Sequence, residues 1–168
     1  MTWKNNLKAK ITVQMAKYIP AVYNRFSLSQ TKKMNTTVET KISKPLSECR
    51  VALITSAGVH LKEDEPFNVL SNGDYSYRII PADTDIEDLE VTHIYYDTKS
   101  AKIDKSIVFP LVQLREFAHK GIIGSVSNTN IGLNGGTLNQ IPHEEETAPK
   151  VIRELIKDKV DIALLTPG

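Results

Sequence analysis

The chain has 168 residues, 40% apolar and 24% charged, with a formal net charge of +1, a composition that suits one water-soluble folded domain and excludes a low-complexity or repeat architecture. Its single cysteine, Cys49, excludes an intrachain disulfide and a thiolate zinc cluster. No apolar run reaches the roughly 18 residues of a membrane-spanning helix and no signal sequence is readable at the start, so a reducing cytoplasm is the expected setting.

The first segment stands apart in charge. Residues Met1 to Val38 carry seven Lys or Arg and no acid, leaving 14 basic and 20 acidic residues in the remainder. Trp3, Leu7, Ile11, Met15, Tyr18 and Val22 recur at three- and four-residue spacing, which predicts an amphipathic helix with Lys4, Lys8 and Lys17 off the apolar stripe. Such a stripe is expected to be buried against the domain or a partner subunit; an anionic membrane surface and an organelle address are the other readings. Pro20 leaves the last turn open, and the aperiodic stretch 27–44 reads as a linker, giving an N-terminal unit of 1–44 and a domain of 45–168.

Val51 to Thr55 is a nearly continuous apolar, β-branched run of the kind buried on both faces of a parallel sheet, and Ser56-Ala57-Gly58 breaks it. Tyr75 to Ile80 and Val91 to Tyr96 are predicted strands flanking the acidic turn-rich segment Pro81 to Glu90. Ile107 to Phe109 follows as a short strand. A helix then carries Leu111, Leu114, Phe117 and Ala118 on one face and ends at Gly121, after which Ile122 to Val126 can supply a strand. Glu144 to Glu146 and Thr147 precede a helix with Val151, Ile152, Leu155 and Ile156 on its apolar face, where solvated acids suit the positive helix end. Ile162 to Leu165 is the last strand. The alternation predicts an α/β fold, three-layered and Rossmann-like or flavodoxin-like, with a mostly parallel sheet.

In such sheets ligands bind beyond the carboxyl ends of the strands. Ser56, Gly58 and His60 after the first strand, and Thr166 and Gly168 after the last, are therefore candidate substrate-binding or proton-transfer residues. An ordinary turn at Ser56-Ala57-Gly58 and a hydrogen-bonded loop histidine are the competing readings. His93, Tyr95 and Asp97 alternate, so on a strand they would share a face that orients an imidazole against a carboxylate, or would form a polar sheet surface. Asn134-Gly135-Gly136 reads as a turn that could also approach a ligand closely. Cys49 is expected to be structural. No metal or nucleic-acid motif is present in the sequence, and no cofactor is called for by these residues alone.

Several segments together carry a family resemblance: Lys44-Pro45-Leu46-Ser47-Glu48-Cys49-Arg50 running into Val51 to Lys62, Asp64-Glu65-Pro66-Phe67-Asn68, Gly73-Asp74-Tyr75-Ser76-Tyr77-Arg78, Ile107 to Leu111, Gly121 to Gly124, and Asp161 to Gly168. With these the chain resembles the selenoprotein B subunits of glycine, sarcosine, betaine and D-proline reductases, nearer to the proline-reductase-like branch. The resemblance implies reductive cleavage of a small amine or imino-acid substrate by a selenocysteine or cysteine with a nearby cysteine partner. It also implies further reductase subunits and a dithiol electron donor. It places that redox residue directly after Gly168, so the functional polypeptide is expected to continue there through a selenocysteine or cysteine codon. One departure is the segment Ile131 to Thr137, where relatives often carry a loop with aromatic residues and methionine. The alternative from another class is a non-catalytic α/β module that binds a small molecule or a partner at the same edge.

Overall fold

The computed structural model describes residues 2–30, 40–71, 73–137 and 139–167. Two helices open the chain, α1 (Thr2–Tyr18) and α2 (Pro20–Gln30). Pro20 starts the second helix rather than fraying the first, since a proline in the first helical turn lacks only an N–H that has no partner there. Residues 27–30, read as linker, thus belong to α2. The two helices follow one another with only Ile19 between them, and helical hydrogen bonds from Ile19 N to Met15 O at 2.9 Å and from Tyr23 N to Ile19 O at 3.1 Å span the junction.

The core sheet contains β1 (Arg50–Thr55), β3 (Tyr77–Ile80), β5 (Ser125–Val126), β6 (Asn130–Leu133) and β7 (Ile162–Thr166). β1 lies at its centre. One flank pairs in parallel with β5 through Arg50 and Val51, and then with β6 through Ile54 and Thr55. The other flank pairs in parallel with β7 from Val51 to Thr55. β3 adds antiparallel to the outside of β6. The mixed, mostly parallel α/β sheet expected from sequence is therefore present.

A separate antiparallel ribbon of β2 (Val59–Leu61) and β4 (Leu89–Val91) lies against the sheet, and α3 (Lys99–Ile103) follows it. Side chains alternate along β1, so Val51 and Leu53 face one side and Ile54 the other. Val51 and Leu53 share a core with Val59, Leu89, Val91, Phe109 and with Leu111 and Leu114 of α4 (Leu111–His119). Ile54, with Leu133 and Ala163, faces α5 (Ala148–Lys157). This gives three layers.

Local chemistry explains where the strand expectations shift. Val91 to Tyr96 is strand only to Val91, and Ile107 to Phe109 is the end of a tight turn beginning at Lys105, with the Asp104 carboxylate accepting from Ser106 N at 2.9 Å. Phe109 still enters the core, fully buried. Strand β6, unmarked in the sequence reading, occupies the segment around Gly132. On α4 the expected face holds at Leu111 and Leu114, whereas Phe117 stays exposed.

Within this chain the α1 stripe is not buried against the domain. Ile11 is 50% and Tyr18 68% exposed, Leu7 and, in α2, Val22 are also exposed, and among the described side chains of α1 the small Ala9 is the buried one. On α5 Val151 is buried, but Ile156 is 69% exposed, as is Leu165 of the outer strand β7.

At the amino edge of the sheet, Arg50 donates to the Asp158 carboxylate at 2.7 Å, and Ser127 Oγ donates to the same carboxylate at 2.6 Å. Burial works against that charge, but the Ser127 hydroxyl, the Arg50 guanidinium and Asn128 N–H together hold Asp158 below the usual carboxylate range. Cys49 is wholly buried there with Sγ against Pro45 O at 3.3 Å, a packing position.

Candidate functional site

The chain leaves β1 for one flank, reaches β5 and β6, and returns across the other face through α5 to β7 on the opposite flank. Strand order thus reverses about β1, the condition that opens a crevice at the carboxyl ends of parallel strands. Three segments meet there. Ser56 N donates to Thr166 O at 3.2 Å, Gly135 N donates to Ser56 O at 2.8 Å, and Ala57 bridges to Asn134. The sequence-derived pairing of Ser56 and Thr166 at one edge is therefore physical proximity.

Their side chains have different surroundings. Thr166 Oγ1 donates inward to Val108 O at 2.7 Å, which ties the end of β7 to the turn before α4. Ser56 lies beside Gly135 and lines an apolar cavity of about 430 Å³ beneath α5. Gly58 has a positive φ of 76°, and a Cβ there would stand 2.2 Å from Thr92 O. Its lack of a side chain lets the chain cross β4 closely, while its amide donates to Leu133 O at 2.9 Å. Gly168 lies outside the described residues.

His60 sits on β2, fully buried. A carbonyl only accepts, so Nδ1–H donates to Leu61 O at 2.7 Å and Nε2 accepts from Thr92 Oγ1 at 2.9 Å. Both ring nitrogens are engaged within the protein, and Phe67 meets the ring edge-on. His93 is placed differently, close to Gly58 at the carboxyl edge.

The shared face expected for His93, Tyr95 and Asp97 does not form, because the chain bends at 94–96. Asp97 is exposed and accepts from Lys99 N at 3.2 Å, closing a turn ahead of α3 instead of orienting the imidazole. The backbone supplies that partner: Tyr95 N donates to His93 Nδ1 at 3.1 Å, which leaves the proton on Nε2. Tyr96 packs against the ring at 4.7 Å and its hydroxyl donates to Ala57 O at 3.1 Å.

Burial pushes the His93 imidazole down from 6.5 to about 4, and raises the Tyr96 phenol to about 12. His93 is thus a neutral hydrogen-bond donor near pH 7. Protonation is easier in the unfolded chain, so its contribution to stability is complete above pH 6.5 and is lost as pH falls towards 4. The loss amounts to on the order of 3 kcal/mol by the usual conversion of a pKa shift. Urea midpoints measured from pH 7.5 to 4.5 should fall more steeply for the wild type than for His93→Phe; parallel curves would refute a buried neutral His93.

The sequence reading did not single out His143, which the structure brings to the cavity beside Ser56, Asn134 and Gly135. It lies in a wide helical turn, His143–Thr147, that runs into α5, and its ring meets Tyr75 at 5.0 Å. Burial lowers its pKa as well, opposed in part by the Asn134 carbonyl and the Asp74 charge. Wide turns of this kind are frequent at functional sites, but no local pattern announces them. Glu144 to Glu146 are exposed on the same turn, as the solvated-acid reading requires.

A second opening lies on the outside of this edge. A cleft of about 540 Å³ is bounded by α1 and α2 through Ile11, Met15, Tyr23 and Phe26, and by Tyr95 with Gly135 to Thr137 from the sheet edge. A Cβ on Gly136 would come 2.6 Å from the Tyr95 ring, so the ring lies directly on bare backbone. Among the described residues, no helix is long and apolar enough to cross a membrane.

Comparison with known proteins adds two findings. The family profile described as glycine/sarcosine/betaine reductase selenoprotein B matches residues 17–168. The D-proline reductase subunit gamma of Acetoanaerobium sticklandii is 40% identical over 131 residues, covering 78% of this chain and 53% of that protein. The chain therefore spans about half the length of this curated relative. No solved structure matches.

Proposed function

Because the chain belongs to the glycine/sarcosine/betaine reductase selenoprotein B family, we propose that it forms part of a cytoplasmic reductase subunit that cleaves a small amine or imino acid. The observation that carries this reading is the reversal of strand order about β1, which opens a crevice where Ser56, Asn134, Gly135 and the end of β7 converge. A selenocysteine or cysteine directly after Gly168 would follow β7 at this same edge, with other reductase subunits and a dithiol donor completing the system. Such a group would supply two electrons and two protons: the carbon–nitrogen bond of the substrate breaks, the nitrogen keeps the bonding pair and takes one proton, the carbon receives the two electrons and the other proton, and the selenol–thiol or dithiol pair is left oxidised until an external dithiol restores it.

The residues in this chain serve that chemistry by shaping the crevice. Neutral His93, close to Gly58 at this edge, can present Nε2–H as a donor without adding a charge. Ser56 and the backbone of Asn134–Gly135 form the wall nearest β7. The cavity beneath α5 has an apolar wall that includes Leu133, Val151 and Leu155.

The test uses the polypeptide extended beyond Gly168. Dithiol consumption should depend on substrate, and replacement of the residue following Gly168 by serine should reduce turnover to background. Undiminished turnover in that variant would overturn the redox reading. Ligand binding with no turnover in the extended wild type would instead identify a small-molecule-binding module.

A further inference from the structure

We propose that the outer edge of β7 receives one further parallel strand, formed by the polypeptide that follows Gly168, and that the same segment covers the apolar residues on both faces of β7. The inference rests on the reading that the polypeptide continues beyond Gly168, and it stands whether or not that continuation carries redox chemistry.

Among the described residues β7 pairs with β1 alone, which leaves its other edge open. Open edges are usually guarded by charge, proline, a bulge or a covering segment, because their free N–H and C=O groups recruit other chains. β3, on the opposite side of the sheet, is guarded: Arg78 within it donates to Glu65 O at 2.7 Å and lies over the Phe67 ring at 4.7 Å. β7 has no such guard. Its sequence Ile162-Ala163-Leu164-Leu165-Thr166 contains no charge and no proline, and its register with β1 runs unbroken from Ile162 to Thr166. A regular, uncharged strand of this kind is an aggregation hazard when open and an ordinary interior strand when paired.

The exposed side chains define what the pairing strand must bring with it. Alternation puts Leu165 on the face of Ala163, which lines the cavity beneath α5, and Leu164 on the face of Ile162 and Thr166, towards the core. Leu165 is exposed on the α5 face, and so are Ile152 and Ile156 of α5 itself. Leu164 is exposed on the other face, as is Ile107, next to the Val108 carbonyl that Thr166 binds. A strand with one wet face would alternate apolar and polar residues, whereas apolar residues open on both faces call for a parallel strand flanked by covering layers. A second copy meeting edge to edge would bring a strand of five residues, short of the roughly 20–30 residues a side of a stable interface. A continuing chain as long as the relative has the length: the match covers 53% of D-proline reductase subunit gamma, and a strand with its crossover takes about 30 residues. Leaving β7 at its carboxyl end, such a chain returns by a right-handed crossover and runs parallel to it. The residue after Gly168 would then lie between two neighbouring strands, enclosed on both sides of the crevice.

Amide hydrogen exchange read by mass spectrometry can decide this on the 168-residue chain and on the polypeptide extended beyond Gly168. Peptides covering 162–166 should exchange about a hundredfold more slowly in the extended protein, a gain about tenfold beyond that of β3, whose edge is already guarded. Leu165→Lys should lower the urea midpoint of the extended protein by about 1 M or more and that of the 168-residue chain by less than about 0.2 M. Ile122→Lys, at an exposed position after α4, should be tolerated in both. A shift below about 0.3 M for Leu165→Lys in the extended protein would overturn the proposal by itself, whether or not the shorter chain folds. Equal exchange of 162–166 in the two proteins would do the same, as would a coding sequence that stops after Gly168. A 168-residue chain that sediments as a dimer with 162–166 already protected would assign the edge to a second copy and overturn it too. Slow exchange in an extended wild type that shows no substrate-dependent turnover would leave the added strand standing and remove only the redox reading.

Discussion

Asn130→Leu should lower the unfolding free energy by about 3–5 kcal/mol, read as a drop in the urea midpoint at constant slope. The flank of β1 is served by two short strands, β5 and β6, and the break between them would orphan buried backbone groups. Asn130 is fully buried and fills that break. Its Oδ1 accepts from Leu53 N at 2.9 Å, and its Nδ2 donates to Ile80 O at 3.0 Å and to Ser127 O at 2.7 Å. One side-chain amide therefore replaces ladder bonds to three segments. Leucine has similar bulk but leaves one N–H and two carbonyls without that partner, and each buried group loses about 1–3 kcal/mol with partial relaxation. Asn130→Asp should be nearly as harmful, because the carboxylate cannot donate to the two carbonyls. A loss below about 1 kcal/mol for Asn130→Leu would mean that water or backbone movement satisfies those groups.

Gly132→Ala should be worse for a residue change of one methyl, lowering stability by about 3 kcal/mol or more and cutting soluble yield. Gly132 lies in β6 beneath the ribbon, and a Cβ there would stand 1.9 Å from Val59 O and 3.0 Å from Val59 C. The obstacle is backbone, and Val59 is held in register opposite Val91, so β2 cannot yield alone. Relief requires lifting the ribbon off the sheet, which would expose Val59, Leu89 and Val91 from the core. Gly121→Ala is the control. It has a positive φ of 68° but open space around the new Cβ, so only the backbone term of about 1 kcal/mol is expected. Thermal melts of the two variants should be well separated; overlapping melts would show that the β2–β4 ribbon floats on the sheet.

These two positions also show why β6 was illegible. A strand containing a polar amide at its start and a glycine in its interior lacks the local signature of a buried strand. Both residues are there for partners distant in sequence: Leu53 and Ile80 for the amide, Val59 for the glycine. The pairing of His93 with Asp97 failed for the opposite reason. A regular alternation was present in the sequence, but the ribbon ends at Val91 and the Asp97 carboxylate is taken by Lys99 N. Spacing in a sequence reports a shared face only while the backbone stays extended.

What the sequence determined by itself is whatever depends on neighbours along the chain. Val51 to Thr55 declared a buried parallel strand because an unbroken β-branched run has few other stable fates, and Leu111 with Leu114 declared a helix face by period. The family was legible for the same reason, since its motifs are short contiguous strings. Tertiary structure alone decided which of the candidate groups are available to a ligand. It sealed His60 between Leu61 and Thr92, turned Thr166 inward, and brought Ser56 against Gly135 and His143 into the same cavity. It also set α1 and α2 along the outer cleft. Availability is set by burial and by competing hydrogen bonds from residues up to a hundred positions away, and these exist only once the sheet has assembled.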